Sequence, residues 1–113
     1  MQRPYKANKT ITKRWGYELW LCNTKDYCGK YIYVKQEWSS NGRYHYHKDK
    51  VETFFIENGI LELDIEGEKT YYLMPGDCYK VDCGVKHRFK AFSDECTFFE
   101  FSTHHSDKDS YYG

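Results

Sequence analysis

A chain of 113 residues and 13.7 kDa has room for one domain and little else. Its 17 Lys+Arg balance its 17 Asp+Glu, with no basic run longer than Lys13-Arg14, so neither a nucleic-acid backbone nor an anionic membrane surface is an expected partner. The longest apolar stretches, such as Phe54-Phe55-Ile56, fall far short of the about 20 residues that span a bilayer, and the polar stretch Met1–Lys9 has no signal-peptide character, so the expected location is cytoplasmic.

Residues 1–14 are of mixed polarity and read as an N-terminal arm or peripheral strand. From Trp15 onward β character dominates. Lys30 to Trp38 alternates, with Ile32, Val34 and Trp38 on one face and Tyr31, Tyr33 and Lys35 on the other. A turn cluster, Ser39-Ser40-Asn41-Gly42, leads into a second alternating run from Arg43 to Lys48. Further strands are predicted at Glu52–Glu57, Ile60–Glu66, Thr70–Leu73, Cys78–Val81, Lys86–Ala91 and Thr97–Ser102. They are separated by turn sequences such as Glu57-Asn58-Gly59 and Pro75-Gly76-Asp77. No window carries a capped helical period. The prediction is an all-β domain spanning residues 1–113, a sandwich, jelly roll or small barrel, ending in a polar tail from His104 to Gly113.

Five cysteines, none spaced Cys-x-x-Cys, point to reduced thiols packed as small apolar residues. A core of this size stands without a structural metal, so a metal site here would serve function. His45 and His47 lie two residues apart on a predicted strand and therefore share a face. Glu52 opens the next strand at the head of the row Glu52/Phe54/Ile56, and His87 heads the row His87/Phe89/Ala91. Three imidazoles and one carboxylate suit a divalent transition metal such as Zn, Fe, Mn or Ni, with positions left open for water or substrate. A His-x-His pair alone on a strand is more often a solvated or hydrogen-bonded pair than a metal site.

Two ordered motifs weigh for the metal. Gly42-x-x-His45-x-His47-x4-Glu52-x6-Gly59 resembles the first motif of the cupins, with a shorter gap after the first glycine. Gly76-x5-Asp82-x-Gly84-x-x-His87 resembles the second, with Asp82 where proline is usual. The resemblance implies a small cupin-type jelly-roll barrel in which His45, His47, Glu52 and His87 bind metal. Within cupins the chain is most similar to the sugar-isomerase branch, in particular the cupin domain of type II mannose-6-phosphate isomerases. Arg14-Trp15-Gly16-Tyr17-Glu18, Gly29-Lys30-Tyr31-Ile32, Gly84-Val85-Lys86-His87-Arg88 and Phe99-Glu100-Phe101-Ser102-Thr103 carry that likeness. Glutamine commonly stands there in place of His45 and arginine in place of Lys50. The first departure brings the site closer to D-lyxose isomerase and other three-histidine cupins.

The resemblance implies aldose–ketose isomerisation of a sugar or sugar phosphate. A bound metal would polarise the substrate oxygens while a carboxylate carries a proton between neighbouring carbons. Glu100, on the Phe98/Glu100/Ser102 face, is the candidate base, because burial would raise its pKa into a useful range; Lys30 is a second acid–base candidate. Lys86 and Arg88 alternate away from a regular metal face, but at the mouth either could meet a substrate phosphate, and Tyr44 is a candidate sugar-facing aromatic. A cupin dioxygenase with an apolar pocket and a non-catalytic binding cupin are the alternatives. Aromatic residues on both faces of several strands lead us to expect a homodimer.

Overall fold

The computed structural model describes residues 3–35 and 43–112. Trp38, the expected 39–42 turn and the motif residue Gly42 lie outside the described residues. Strands run β1 (Lys9–Lys13), β2 (Gly16–Asn23), β3 (Cys28–Lys35), β4 (His45–Tyr46), β5 (Glu52–Asn58), β6 (Leu61–Ile65), β7 (Thr70–Leu73), β8 (Cys78–Val81), β9 (His87–Ala91), β10 (Glu95–Ser102) and β11 (Tyr111–Tyr112). They form a six-stranded sheet in the order β1-β2-β3-β10-β5-β8 and a five-stranded sheet in the order β11-β4-β9-β6-β7. Every pairing is antiparallel. Neighbours distant in sequence, such as β10 between β3 and β5, give the jelly roll its connectivity.

Period-two alternation decides which side chains go inside. In β3, Ile32 and Val34 are buried and Lys35 is exposed; in β5, Glu52, Phe54 and Ile56 are buried and Phe55 is exposed. In β6, Leu61, Leu63 and Ile65 face the same interior. An aromatic group fills its centre, with Phe54 and Phe98 rings 5.1 Å apart, Phe89 and Phe98 5.5 Å apart, and Trp15 edge-on to Phe89 at 5.4 Å. Burying each such ring contributes about 1.5–3 kcal/mol, and this layer is the floor of the site described below.

Gly59 closes the β5–β6 turn at φ +80°, a conformation that favours glycine, and a Cβ there would run into the backbone carbonyl of Glu95. This explains the glycine that ends the first motif.

One strand expectation changes. The run expected from Arg43 to Lys48 shrinks to His45–Tyr46. Beyond Tyr46 the backbone groups are taken elsewhere: the His47 carbonyl accepts from Gly84 N–H at 2.6 Å, and the N–H groups of Lys48, Asp49 and Lys50 point at the Asp109 carboxylate. These groups are thereby withheld from a ladder. The N-terminal stretch contributes a true edge strand, with Lys9 opposite Trp20 and Lys13 opposite Gly16, and the polar tail ends in a strand paired with β4.

Candidate metal centre and its cavity

His45 on β4 sits directly opposite His87 on β9, and His47 follows two residues later on the same side. One ring nitrogen from each of the three histidines lies within 4.8 Å of the other two. Two of the rings are held from behind. His47 Nδ1 is 2.9 Å from the Asp109 carbonyl and His87 Nδ1 is 2.9 Å from the Val85 carbonyl. A carbonyl can only accept, so both Nδ1 atoms carry the proton and both Nε2 lone pairs are free for ligation.

Glu52 lies against this group, Oε1 3.1 Å from His87 Nε2 and Oε2 3.7 Å from His47 Nε2. Among the described residues, the buried His87 Nε2 has no hydrogen-bond partner, while Glu52 Oε2 is met by the Lys50 ammonium at 3.0 Å. Orphaned buried polar atoms are costly unless something else satisfies them. Burial, followed by the neighbouring His87, pushes His45 down to about 3, and burial with the Lys50 charge likewise lowers His47. Uncharged imidazoles beside an ionised carboxylate are the donor set that a divalent transition metal needs. The residues present fit such an ion.

Behind Glu52 lies a buried charge cluster. Lys50 Nζ is 3.0 Å from Glu52 Oε2, 3.1 Å from Glu100 Oε2 and 3.1 Å from His105 Nδ1. Burial alone would lower the Lys50 pKa, but the negative charges of Glu100 and Glu52 outweigh it and raise it. The two carboxyls move apart. Burial opposes ionisation of Glu52, yet the adjoining His87 and the Lys50 ammonium hold it well below the usual carboxylate range. Glu100 is pushed up by its burial and then by the charge of Glu52, against the pull of Lys50 and Lys30. Glu52 therefore stays an anion, and Glu100 is the group that more readily takes and gives a proton.

The centre opens into a cavity of about 480 Å³, within the range of small-ligand sites. Trp15, Ile11, Phe54 and Phe89 supply apolar wall, while Lys30, Glu18, Glu100 and His105 supply ionisable wall. Lys30, only 2% exposed, pairs with Glu18 at 3.3 Å and lies 4.5 Å from the Trp20 ring centre.

Of the residues singled out in the sequence, His45, His47, His87, Glu52, Glu100 and Lys30 are brought together around this cavity. Tyr44, Lys86 and Arg88 are not among its lining residues. Tyr44 Oη donates to Asp64 at 3.0 Å, Arg88 pairs with Asp64 at 2.7 Å and covers the Tyr44 ring, and Lys86 lies 5.7 Å from the Tyr46 ring. The alternation that turns His87 inward turns its two neighbours outward.

Four contributors escaped the sequence reading. Lys50 was legible in principle, two residues before Glu52 and so on its side of the chain. Glu18 and Trp20 alternate along β2 in the same way. His105 had no periodic signal. It is brought in by the tail, where the Asn23 side chain bonds both its N–H and its carbonyl at 3.0 Å.

A family model for the cupin domain matches residues 31–101. The chain belongs to the cupin family, and its all-β jelly roll with a three-histidine cluster capable of holding a metal ion is the cupin architecture. Solved structures similar to it are chemically diverse. A sugar phosphate isomerase of the cupin superfamily from Silicibacter pomeroyi is 18% identical with a TM-score of 0.68, the match covering 86% of this chain and 74% of that one. Ectoine synthase from P. lautus is 20% identical with a TM-score of 0.72, covering 92% and 80%. KdgF from Halomonas sp. is 18% identical with a TM-score of 0.71, covering 81% of each. At these identities the likeness establishes the fold alone. No match was found among curated proteins.

Proposed function

We propose that the protein is a metal-dependent isomerase that interconverts an aldose and a ketose, free or phosphorylated. The observation that carries this reading is the buried Lys50–Glu100 pair beside the histidine cluster, at 3.1 Å. Isomerisation needs a group that removes a proton from one carbon and returns it to the next. Glu100, with its raised pKa and its place in the cavity wall, is suited to that task.

His45, His47 and His87, with Glu52 against them, would hold a divalent metal, which when bound supplies a Lewis acid for the substrate's carbonyl and hydroxyl oxygens. Glu100 accepts the proton from the carbon beside the carbonyl and delivers it to the neighbouring carbon. Lys50 fixes the Glu100 carboxylate and offsets its charge before the first proton transfer and after the second. Lys30, tethered by Glu18, is placed to hydrogen-bond a sugar oxygen. The Trp15 ring, in the cavity wall, offers an apolar surface to the C–H side of a sugar.

An oxygen-using cupin would share the three histidines but would want an apolar pocket, in which two buried lysines and their carboxylates have no task. The protein, loaded with Zn, Mn, Fe or Ni in turn, is to be incubated with free and phosphorylated aldoses in D₂O. Deuterium is expected on the carbon beside the carbonyl, together with the ketose. No exchange with any sugar under any of the four metals would contradict the proposal.

A further inference from the structure

Asp109 holds the metal centre from a distance of 62 residues in sequence. Its backbone carbonyl takes the His47 Nδ1 proton at 2.9 Å. Its carboxylate, 8% exposed, accepts three consecutive backbone N–H groups: Lys48 at 2.9 Å, Asp49 at 3.1 Å and Lys50 at 3.1 Å. One residue thus fixes the ring orientation of a candidate ligand and the path of the loop that joins His47 to Glu52.

The segment bearing Asp109 is itself pinned at both ends. Asn23 grips His105 at its start. At its end Tyr111 and Tyr112 pair with Tyr46 and His45, the strand that carries the first candidate ligand, and the Tyr46 and Tyr111 rings stack at 5.3 Å. Between these points His105, Asp107, Ser110 and Tyr112 line the cavity. A tail that reads in sequence as a polar surface extension is a wall of the site.

We propose that the segment His105–Tyr112 is a clamp that sets the metal affinity of the site, with Asp109 as its positioning residue, and that metal binding and closure of this segment are thermodynamically coupled. His47 can present Nε2 to an ion in a fixed direction only while the Asp109 carbonyl holds Nδ1–H. A bound ion that immobilises His45 and His47 in turn immobilises the strand and loop on which the segment is seated. The coupling is reciprocal: whatever factor the closed segment adds to metal affinity, the metal adds to closure of the segment. The inference rests on the metal centre proposed above and extends it to residues outside the two family motifs.

The test uses full-length, metal-free protein and Co²⁺ as the probe. Affinity is read from the visible absorption of the bound ion in competition with a chelator, and segment closure from amide hydrogen exchange over residues 105–112. In the wild type, Co²⁺ is expected to slow exchange of these amides. Asp109→Asn, which keeps the size of the side chain but removes its charge, is expected to weaken Co²⁺ binding about 10–100-fold, to change the Co²⁺ spectrum and to abolish the slowing. A purely structural role would lower stability and leave affinity and spectrum as in the wild type, which would overturn the clamp. If Asp109→Asn does not fold, exchange in the wild type decides: equal rates with and without bound Co²⁺ overturn the proposal. Failure of the wild type to bind Co²⁺ at all would overturn the metal centre, and the clamp with it, and is distinct from binding without coupling.

Discussion

Glu52 and Glu100 reach the same ammonium group, their Oε2 atoms standing 3.0 and 3.1 Å from Lys50 Nζ inside the barrel. Glu52 also faces the histidine cluster, 3.1 Å from His87 Nε2, while Glu100 lies in the cavity wall. Two carboxyls of the same chemistry are thereby shifted in opposite directions by their surroundings, Glu52 downward and Glu100 upward.

Replacing Glu100 distinguishes the two carboxyls. Glu100→Gln keeps the shape and a hydrogen bond to Lys50 but cannot accept a proton. Turnover of the sugar substrate is expected to fall about 10²–10⁴-fold, while metal content, measured by elemental analysis, stays at the wild-type level. Retention of full turnover would remove Glu100 from the mechanism.

Lys50 carries the cost of burying both carboxylates. Its side chain is 3% exposed, and Lys50→Met fills the same space without charge, leaving Glu52 and Glu100 uncompensated. Stability near neutral pH is expected to drop by about 3–5 kcal/mol, the range for breaking a buried ion pair, read as a lower urea midpoint. A midpoint equal to that of the wild type would show the cluster to be solvated.

The metal-free protein is expected to lose stability in mild acid. His45 titrates at its ordinary 6.5 when unfolded and is pushed down to about 3 when folded. Between those values the unfolded chain binds the proton and the folded chain does not, so stability falls as pH drops through that window. Glu100, whose pKa is raised, works in the opposite sense, so the clean comparison is with His45→Gln. Urea unfolding of both proteins from about pH 7 to about pH 4 should show a shallower loss in the variant. Parallel curves would contradict the buried, uncharged His45.

The outer face of the six-stranded sheet presents Phe101, 53% exposed, stacked on Phe99 with ring centres 6.1 Å apart, and Phe55, 37% exposed. Tyr31 packs edge-on to Phe99 at 5.3 Å and Tyr17 stacks on Tyr33 at 5.3 Å on the same side. We expect this face to join two copies of the chain. Light scattering should report a dimer for the wild type and a monomer for Phe101→Glu, and a monomeric wild type would contradict it.

Much of this arrangement was legible in the sequence because a strand has a period of two. Ile32, Val34, Phe54 and Ile56 fall inside by alternation, and the same rule places Glu52 and Glu100 with them. The strands Thr70–Leu73 and Cys78–Val81 have the expected limits. What escaped depended on contacts with no local signal. Nothing in Arg43–Lys48 announces that three amides beyond His47 will be taken by Asp109, and nothing in the polar tail announces that His105 will sit against Lys50. Lys86 and Arg88 were the candidates to meet a substrate phosphate at the mouth, and Tyr44 to face a sugar. The register of β9 instead sends Arg88 to Asp64 on the other face, as the alternation around His87 already implied.

The central claim is that His45, His47 and His87 hold a catalytic divalent metal. Anomalous diffraction, collected at the absorption edge of whichever metal the purified protein carries, tests it most directly. The account requires a single strong peak bonded to a nitrogen of each of the three histidines, at about 2.0–2.2 Å, and its loss in His47→Ala. A crystal of the wild type with no anomalous peak at these nitrogens after soaking in Zn, Mn, Fe and Ni, or with its ion bound elsewhere, would contradict it.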